Sequence, residues 1–249
     1  MEQIYNNLVQ DLKSFFKKQG FSKGVVGVSG GIDSALTLKL SVDALGKENV
    51  LGLILPEEGL TSDENIKDAT EFCKELGVAH FYRPINSYIE SFEELPWEQN
   101  SVAVMNLKAR VRMVLLYHFA NSNQTLVLGT SNKSEIMLGY GTKYGDFAAD
   151  VEVIGNLYKG QVYELAQFLD LPTSFIEKKP SAELAKGQTD ESEMGISYEQ
   201  ADKVLKLIDK GKGKEEVLAA IEDKELVEKV FKLNKSSKHK TELPYIINI

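Results

Sequence analysis

The chain has almost none of the residues that would place it in an oxidising compartment or a bilayer. One cysteine, Cys73, occurs in 249 residues, so no disulfide can form within the chain and a reducing cytoplasm is its expected home. No apolar stretch approaches the roughly 20 residues that span a hydrocarbon layer, so no membrane partner is expected. The start, Met1-Glu2-Gln3-Ile4-Tyr5, lacks the basic-then-apolar pattern of a signal peptide. Positive charge is scarce: 29 Lys and Arg against 37 Asp and Glu leave a formal net charge of −8. That balance repels nucleic-acid backbone and argues against a nucleic-acid partner. Basic residues gather only briefly, at Lys235, Lys238 and Lys240. Histidines 80, 118 and 239 are too scattered for a metal site, and no internal repeat is present.

What remains is an ordinary apolar share, 43%, enough for a sizeable core and one large domain spanning 1–249. Residues 4–16 place Ile4, Leu8, Leu12, Phe15 and Phe16 at helical spacing. Short β-branched or Leu-rich runs follow at 24–28, 50–55, 78–85, 126–129 and 151–154 and read as buried strands. Between them, 35–45, 61–76, 101–120 and 161–169 read as helices. This alternation predicts an α/β fold, a doubly wound, mainly parallel sheet with helices on both faces. The loops after Val28, Leu55 and Leu128 should then converge on one cleft at the carboxyl ends of the strands. Residues 178–197 are polar, lack periodicity and read as a mobile lid loop. Residues 198–233 read as small helices on one side, within a C-terminal stretch of helices and tail (198–249).

One loop carries the chemistry. In Val28-Ser29-Gly30-Gly31-Ile32-Asp33-Ser34 a buried strand runs into two glycines and a helix starts almost at once. Glycines let the backbone turn sharply and approach a ligand, and the freed N–H groups at a helix start suit phosphate. Ser29 and Ser34 add hydroxyl donors. Asp33 would repel a phosphate unless a cation sat between them, which makes it a candidate Mg²⁺ ligand. A tight βα turn with Asp33 as a cap would explain the glycines alone, but not both serines and the acid together. The loop lacks the Gly-Lys-Ser/Thr end of kinase and GTPase loops and the glycine spacing of the dinucleotide fingerprint.

Ser-Gly-Gly-Xaa-Asp-Ser resembles the signature of the adenine-nucleotide α-hydrolase, or N-type ATP pyrophosphatase, superfamily. Two further blocks narrow the resemblance: Gly129-Thr130-Ser131-Asn132-Lys133-Ser134-Glu135 and Thr142-Lys143-Tyr144-Gly145-Asp146. With Asn106-Leu107-Lys108-Ala109-Arg110 and Gly187-Gln188-Thr189-Asp190-Glu191, the chain resembles the ammonia-dependent NAD⁺ synthetases over nearly its whole length. The resemblance implies a Rossmann-like, adenine nucleotide alpha-hydrolase-like fold. It also implies a ligase that forms NAD⁺ from nicotinic acid adenine dinucleotide (deamido-NAD⁺), ATP and ammonia through an acyl-adenylate. It places ATP on Gly27, Val28, Ser29, Gly30, Gly31, Ile32, Asp33, Ser34, Thr130, Lys159 and Ser181. It places Mg²⁺ on Asp33 and Glu135, and the dinucleotide on Arg110, Lys143, Asp150, His239 and Lys240. Asp33, Ser34 and Lys186 are the candidate catalytic residues, with Lys186 reaching the leaving phosphates. Where the family carries Gly-Asp-Gly-Gly-Ala-Asp, this chain has Gly145-Asp146-Phe147-Ala148-Ala149-Asp150, and Ser181 stands where threonine is common.

Each of these residues also has a plainer reading. Arg110 suits bidentate binding of phosphate or carboxylate, or is a solvated helix charge. Glu135 is a metal ligand or a first-turn helix acid, and Lys143 with Asp146 and Asp150 is a site or a surface ion-pair cluster. The piece before the phosphate loop is about one helix long, so no glutaminase domain is expected in this chain and free ammonia is the expected nitrogen donor. The resemblance also implies a homodimer, for which residues 101–120 offer an apolar surface. Another ATP-pyrophosphatase amidoligase, GMP-synthetase-like, and a non-catalytic ATP-binding sensor are the alternatives.

Overall fold

The structure is a computed structural model that describes residues 1–92, 94–181, 183–185, 187 and 189–247. In chain order its helices and strands are α1 (Glu2–Gln19), β1 (Gly24–Gly27), α2 (Ile32–Leu45), β2 (Val50–Ile54), α3 (Asp63–Glu75), β3 (Ala79–Tyr82), α4 (Asn86–Glu90), α5 (Ser101–Asn123) and β4 (Leu126–Gly129). There follow α6 (Lys133–Leu138), β5 (Val151–Glu152), α7 (Lys159–Phe168), α8 (Thr173–Glu177), α9 (Asp190–Met194), α10 (Tyr198–Asp209), α11 (Lys214–Ala220) and α12 (Lys224–Ser237). No helix among the described residues is long and apolar enough to cross a membrane.

The five strands pair in parallel in the order β3-β2-β1-β4-β5. Side chains alternate across a strand, and here both sides are apolar. Val26 and Val28, with Leu126 and Leu128, join the core formed with α1, α2, α3, α7 and α8. Val25 and Val127, between them in sequence, join a second core against α4 and α5. The sheet is therefore covered on both faces, as the continuous apolar runs predict. A third cluster holds α10, α11 and α12 together around Val204, Leu205, Val227 and Val230, with Leu138 of α6 and Tyr158 included.

Three expectations shift. The third strand ends at Tyr82, short of residue 85, although the Arg83 and Ile85 N–H groups still donate to the Ile54 and Pro56 carbonyls (2.9 Å each). The fifth strand is only Val151–Glu152; Val153 and Ile154 are buried core residues of a turn that leads to Gly155. Within the polar stretch 178–197 a one-turn helix, α9, forms where no helix was expected, with Thr189 capping it by accepting from the Ser192 N–H. One turn is too short to show a period.

Winding reverses between β1 and β4, the switch point where parallel sheets bind ligands. The loops after β1, β2 and β4 meet there.

Candidate functional site

A cavity of about 560 Å³ opens at the switch point, lined by the ends of β1, β2 and β4, one side of α5 and residues 178–181, 183 and 184. Its floor is the glycine turn. Gly30 has φ +85, and a Cβ on it would lie 2.3 Å from the Asn65 carbonyl oxygen, so only glycine lets the turn sit against the start of α3. The serines hold the turn's shape. The Ser34 hydroxyl donates to the Gly31 carbonyl (3.0 Å) and accepts from the Ser29 N–H (3.2 Å). The Ser34 hydroxyl, expected as a donor to phosphate, here donates within the turn while still lining the cavity. Lys178 pins the outside of the turn, donating to the Gly30 carbonyl (3.3 Å), to Asn65 and to Asp68 (2.6 Å).

Beside the turn, Asp33 and Glu135 flank a buried ammonium. Lys159, 1% exposed, lies 2.5 Å from Asp33 Oδ2 and 3.4 Å from Glu135 Oε1. Asn132 ties the two acids together: its amide donates to Asp33 Oδ1 (2.9 Å) and its N–H to Glu135 Oε2 (3.1 Å). Asn132 and Glu135 form the capping box that starts α6. Glu135 is thus both the helix-start acid and a site carboxylate: Oε2 serves the cap and Oε1 faces Lys159. Burial, with the Asp33 charge adding, pushes the Glu135 carboxyl up, against the pull of Lys159. Burial alone would lower Lys159, but Asp33 and Glu135 outweigh it and hold the amine above the ordinary lysine range. The Lys159 N–H donates to Ser134 Oγ (2.9 Å), and the Ser134 hydroxyl donates to Asp202 of α10, so the C-terminal helices fix the start of α7.

The profile of the NAD synthase family matches residues 4–244. The chain belongs to that family. It is 43% identical over 248 residues to the NH₃-dependent NAD⁺ synthetase of Archaeoglobus fulgidus, covering 100% of this chain and 97% of the relative. Among solved structures, it is similar to an NMN synthetase from Francisella tularensis, with TM-score 0.88 and 34% identity over 100% and 98% of the two chains. It is also similar to an NH₃-dependent NAD synthetase from Campylobacter jejuni, with TM-score 0.85 and 33% identity over 99% of each. The fold of this NAD synthase family member is the one that the sequence resemblance implied.

The structure brings most of the expected residues of this family member together. Gly27, Val28, Ser29, Gly31, Ile32, Asp33 and Ser34 line the cavity with Thr130, Glu135, Lys159 and Ser181. Gly30 lies beneath, against Asn65. Of the residues implied for the dinucleotide, Lys240 lines the cavity, donating to the Gly139 (2.8 Å) and Gly141 (2.9 Å) carbonyls. Arg110, Lys143 and His239 form a group outside the lining: Arg110 donates to the Lys143 carbonyl (3.3 Å), and the Lys143 ammonium to the His239 carbonyl (2.5 Å). Asp150 stands apart from them, accepting from the Val127 N–H (2.7 Å) and the Tyr117 hydroxyl (3.5 Å). Lys186 lies outside the described residues.

Sequence reasoning missed three groups. Arg112 lines the cavity and donates to the Leu55 carbonyl (2.9 Å). It shares a helical stripe with Met105 and Ala109, a period that would have found it. Lys108 is buried against Glu57 (2.7 Å). Asp190, which lies in a motif block but was given no role, and Tyr198, which no pattern marks, reach the site from beyond residue 189.

Proposed function

We propose that this chain converts nicotinic acid adenine dinucleotide, ATP and ammonia into NAD⁺, AMP and pyrophosphate. One observation carries the reading: the glycine turn ends beside two carboxylates, Asp33 and Glu135, that share one buried cationic position at the switch point. In the first step a nicotinate carboxylate oxygen attacks the α-phosphorus of ATP. The α–β bridging bond breaks and its electron pair leaves with pyrophosphate. In the second step ammonia attacks the acyl carbon of the adenylate, the acyl–oxygen bond to AMP breaks, and the nitrogen loses a proton. The turn's backbone orients the phosphates, and Lys159 and Arg112 supply positive charge near where negative charge develops.

The residues present fit Mg²⁺. Among the described residues no group of three or more His, Cys, Asp or Glu side chains could by itself hold a metal ion. Mg²⁺ does not need one: it takes one or two carboxylates and leaves its other positions to phosphate oxygens and water. Asp33 and Glu135 would hold it, and it would neutralise charge on the departing pyrophosphate.

The deciding assay measures pyrophosphate release from ATP and ammonium with and without the dinucleotide. Release that depends on the dinucleotide supports the reading, and dinucleotide-independent release or none refutes it. Glutamine in place of ammonium should support turnover poorly; equal rates would refute ammonia as the direct donor. The similarity to an NMN synthetase favours one second reading, in which nicotinic acid mononucleotide is the carboxylate substrate. The same assay run with the mononucleotide separates the two by their kcat/KM. Residues 178–197 serve as the lid over this site, and 1–249 as a single catalytic domain.

The assembly proposed is a cytoplasmic homodimer. Val102 (57% exposed) and Val114 (58%) on α5, with Phe81 (56%) on the edge strand β3, expose apolar surface that a second copy would cover. A monomeric mass at micromolar concentration in sedimentation would refute it.

A further inference from the structure

Among the described residues, Asp190 Oδ1 is a buried carboxylate oxygen that accepts no hydrogen bond of good geometry; the Tyr140 hydroxyl lies beside the carboxylate but donates to Glu193 (2.6 Å). Asp190 is 5% exposed and lines the cavity. Its other oxygen accepts from the Tyr198 hydroxyl (3.0 Å), and its N–H donates to the Pro180 carbonyl (3.1 Å), so the carboxylate is held in place. The ring of the same tyrosine lies 5.0 Å from the Lys159 ammonium. One side chain therefore touches both the orphaned acid and the buried base. Asp190 and Lys159 are near enough for their charges to interact, yet no ion pair within 4.0 Å joins them.

Asp33 and Glu135 present one cationic position, and Lys159 occupies it. With a divalent ion on those oxygens, the ammonium must give them up, since two cations cannot share the gap without strong repulsion. Lys159 cannot return to water, being 1% exposed, and a buried ammonium without a partner is costly. It needs a second buried acceptor at the end of its flexible stem. We infer that Asp190 is that acceptor, a positioning residue that takes the Lys159 ammonium when a divalent ion occupies Asp33 and Glu135. The assignment gives the orphaned oxygen its partner. It rests on the metal reading proposed above.

The test uses the full chain with a non-hydrolysable ATP analogue and Mn²⁺ as probe, bound ion being counted by electron paramagnetic resonance. Asp190→Asn keeps the shape of the side chain and should weaken Mn²⁺ binding about tenfold or more, the range seen when an outer partner of a metal site is lost. Combined with Lys159→Met, the same substitution should change Mn²⁺ affinity less than about twofold, because the ammonium it serves is gone. Equal losses in both backgrounds, or no loss in the first, overturn the inference while leaving the metal reading intact. Absence of nucleotide-dependent Mn²⁺ binding in the wild type overturns both. Should Asp190→Asn fail to fold, Tyr198→Phe removes the bond that holds Asp190. It should weaken Mn²⁺ binding only where Lys159 is present, and a loss independent of Lys159 counts against the inference.

Discussion

Replacing Gly30 by alanine should damage the protein far more than the same change at its neighbour Gly31. At Gly30 the backbone is left-handed, φ +85, which costs a residue with a Cβ about 1–2 kcal/mol. The new methyl would also lie 2.3 Å from the Asn65 carbonyl oxygen. That oxygen belongs to backbone at the start of α3, so relief requires moving a helix end, at about 1–3 kcal/mol. Gly30→Ala should therefore lose roughly 2–5 kcal/mol of stability and raise the KM for ATP, because the turn and the Lys178 brace move together. Gly31 has φ −95 and ψ 161, an extended conformation open to any residue, and its Cβ would meet only Ser29 Oγ at 3.5 Å. Gly31→Ala should stay within about 1 kcal/mol of the wild type and act, if at all, on ATP binding. Urea unfolding followed by circular dichroism reads the first quantity and initial rates against ATP the second. A Gly30→Ala protein within about 0.5 kcal/mol of wild type, or a Gly31→Ala protein less stable than Gly30→Ala, would refute the steric argument.

Burial pushes the Glu152 carboxyl up to about 7, the Ser131 N–H bond pulling it down and the Asp146 charge adding to the rise. A carboxyl raised on folding lends stability below the unfolded value and loses it as pH climbs through the folded one. Wild-type stability should thus fall between about pH 4.5 and 7 by up to ~1.4 kcal/mol per pH unit from this group. Glu152→Gln, which keeps an acceptor for Ser131, should lack that part of the slope; identical pH profiles would sink the idea. Cys73 is fully buried and its thiol is pushed up to about 11 by burial, so iodoacetamide at pH 8 should label it only after denaturation. Labelling at equal rates with and without denaturant would contradict its placement. Phe175, 1% exposed, meets Phe72 edge-on at 5.1 Å, and Phe175→Ala should cost about 3–5 kcal/mol. A loss under about 1 kcal/mol in the same unfolding assay would show that the site collapses around the gap.

The sheet was readable because β1, β2 and β4 are continuous apolar runs that serve two cores at once, with Val25 facing one and Val26 the other. Runs alone could not tell a strand from a buried turn, so Val153 and Ile154 were read as ladder residues although they fill the core from a turn. The glycine turn, Asp33, Thr130 and Glu135 lie in strand-end loops or the first helical turn beyond them, which converge in a parallel sheet, and the resemblance supplied the roles of Thr130 and Glu135. Arg112 was passed over for Arg110: two residues apart on a helix, they face nearly opposite ways, and only the register of α5 on the sheet decides which one enters the cavity. Tyr198 was illegible because the third apolar cluster brings it to the site from a distant part of the chain, and Asp190 stood in the 187–191 motif with nothing local to give it a role.

Glu135 gives one oxygen to the start of α6 and the other to Lys159. Helix nucleation and charge balance in this protein therefore share a single side chain and cannot be adjusted separately. A substitution there will report as an activity defect and a folding defect together. A change at Asn132 does not separate them either, because its side chain both caps α6 and holds Asp33 Oδ1.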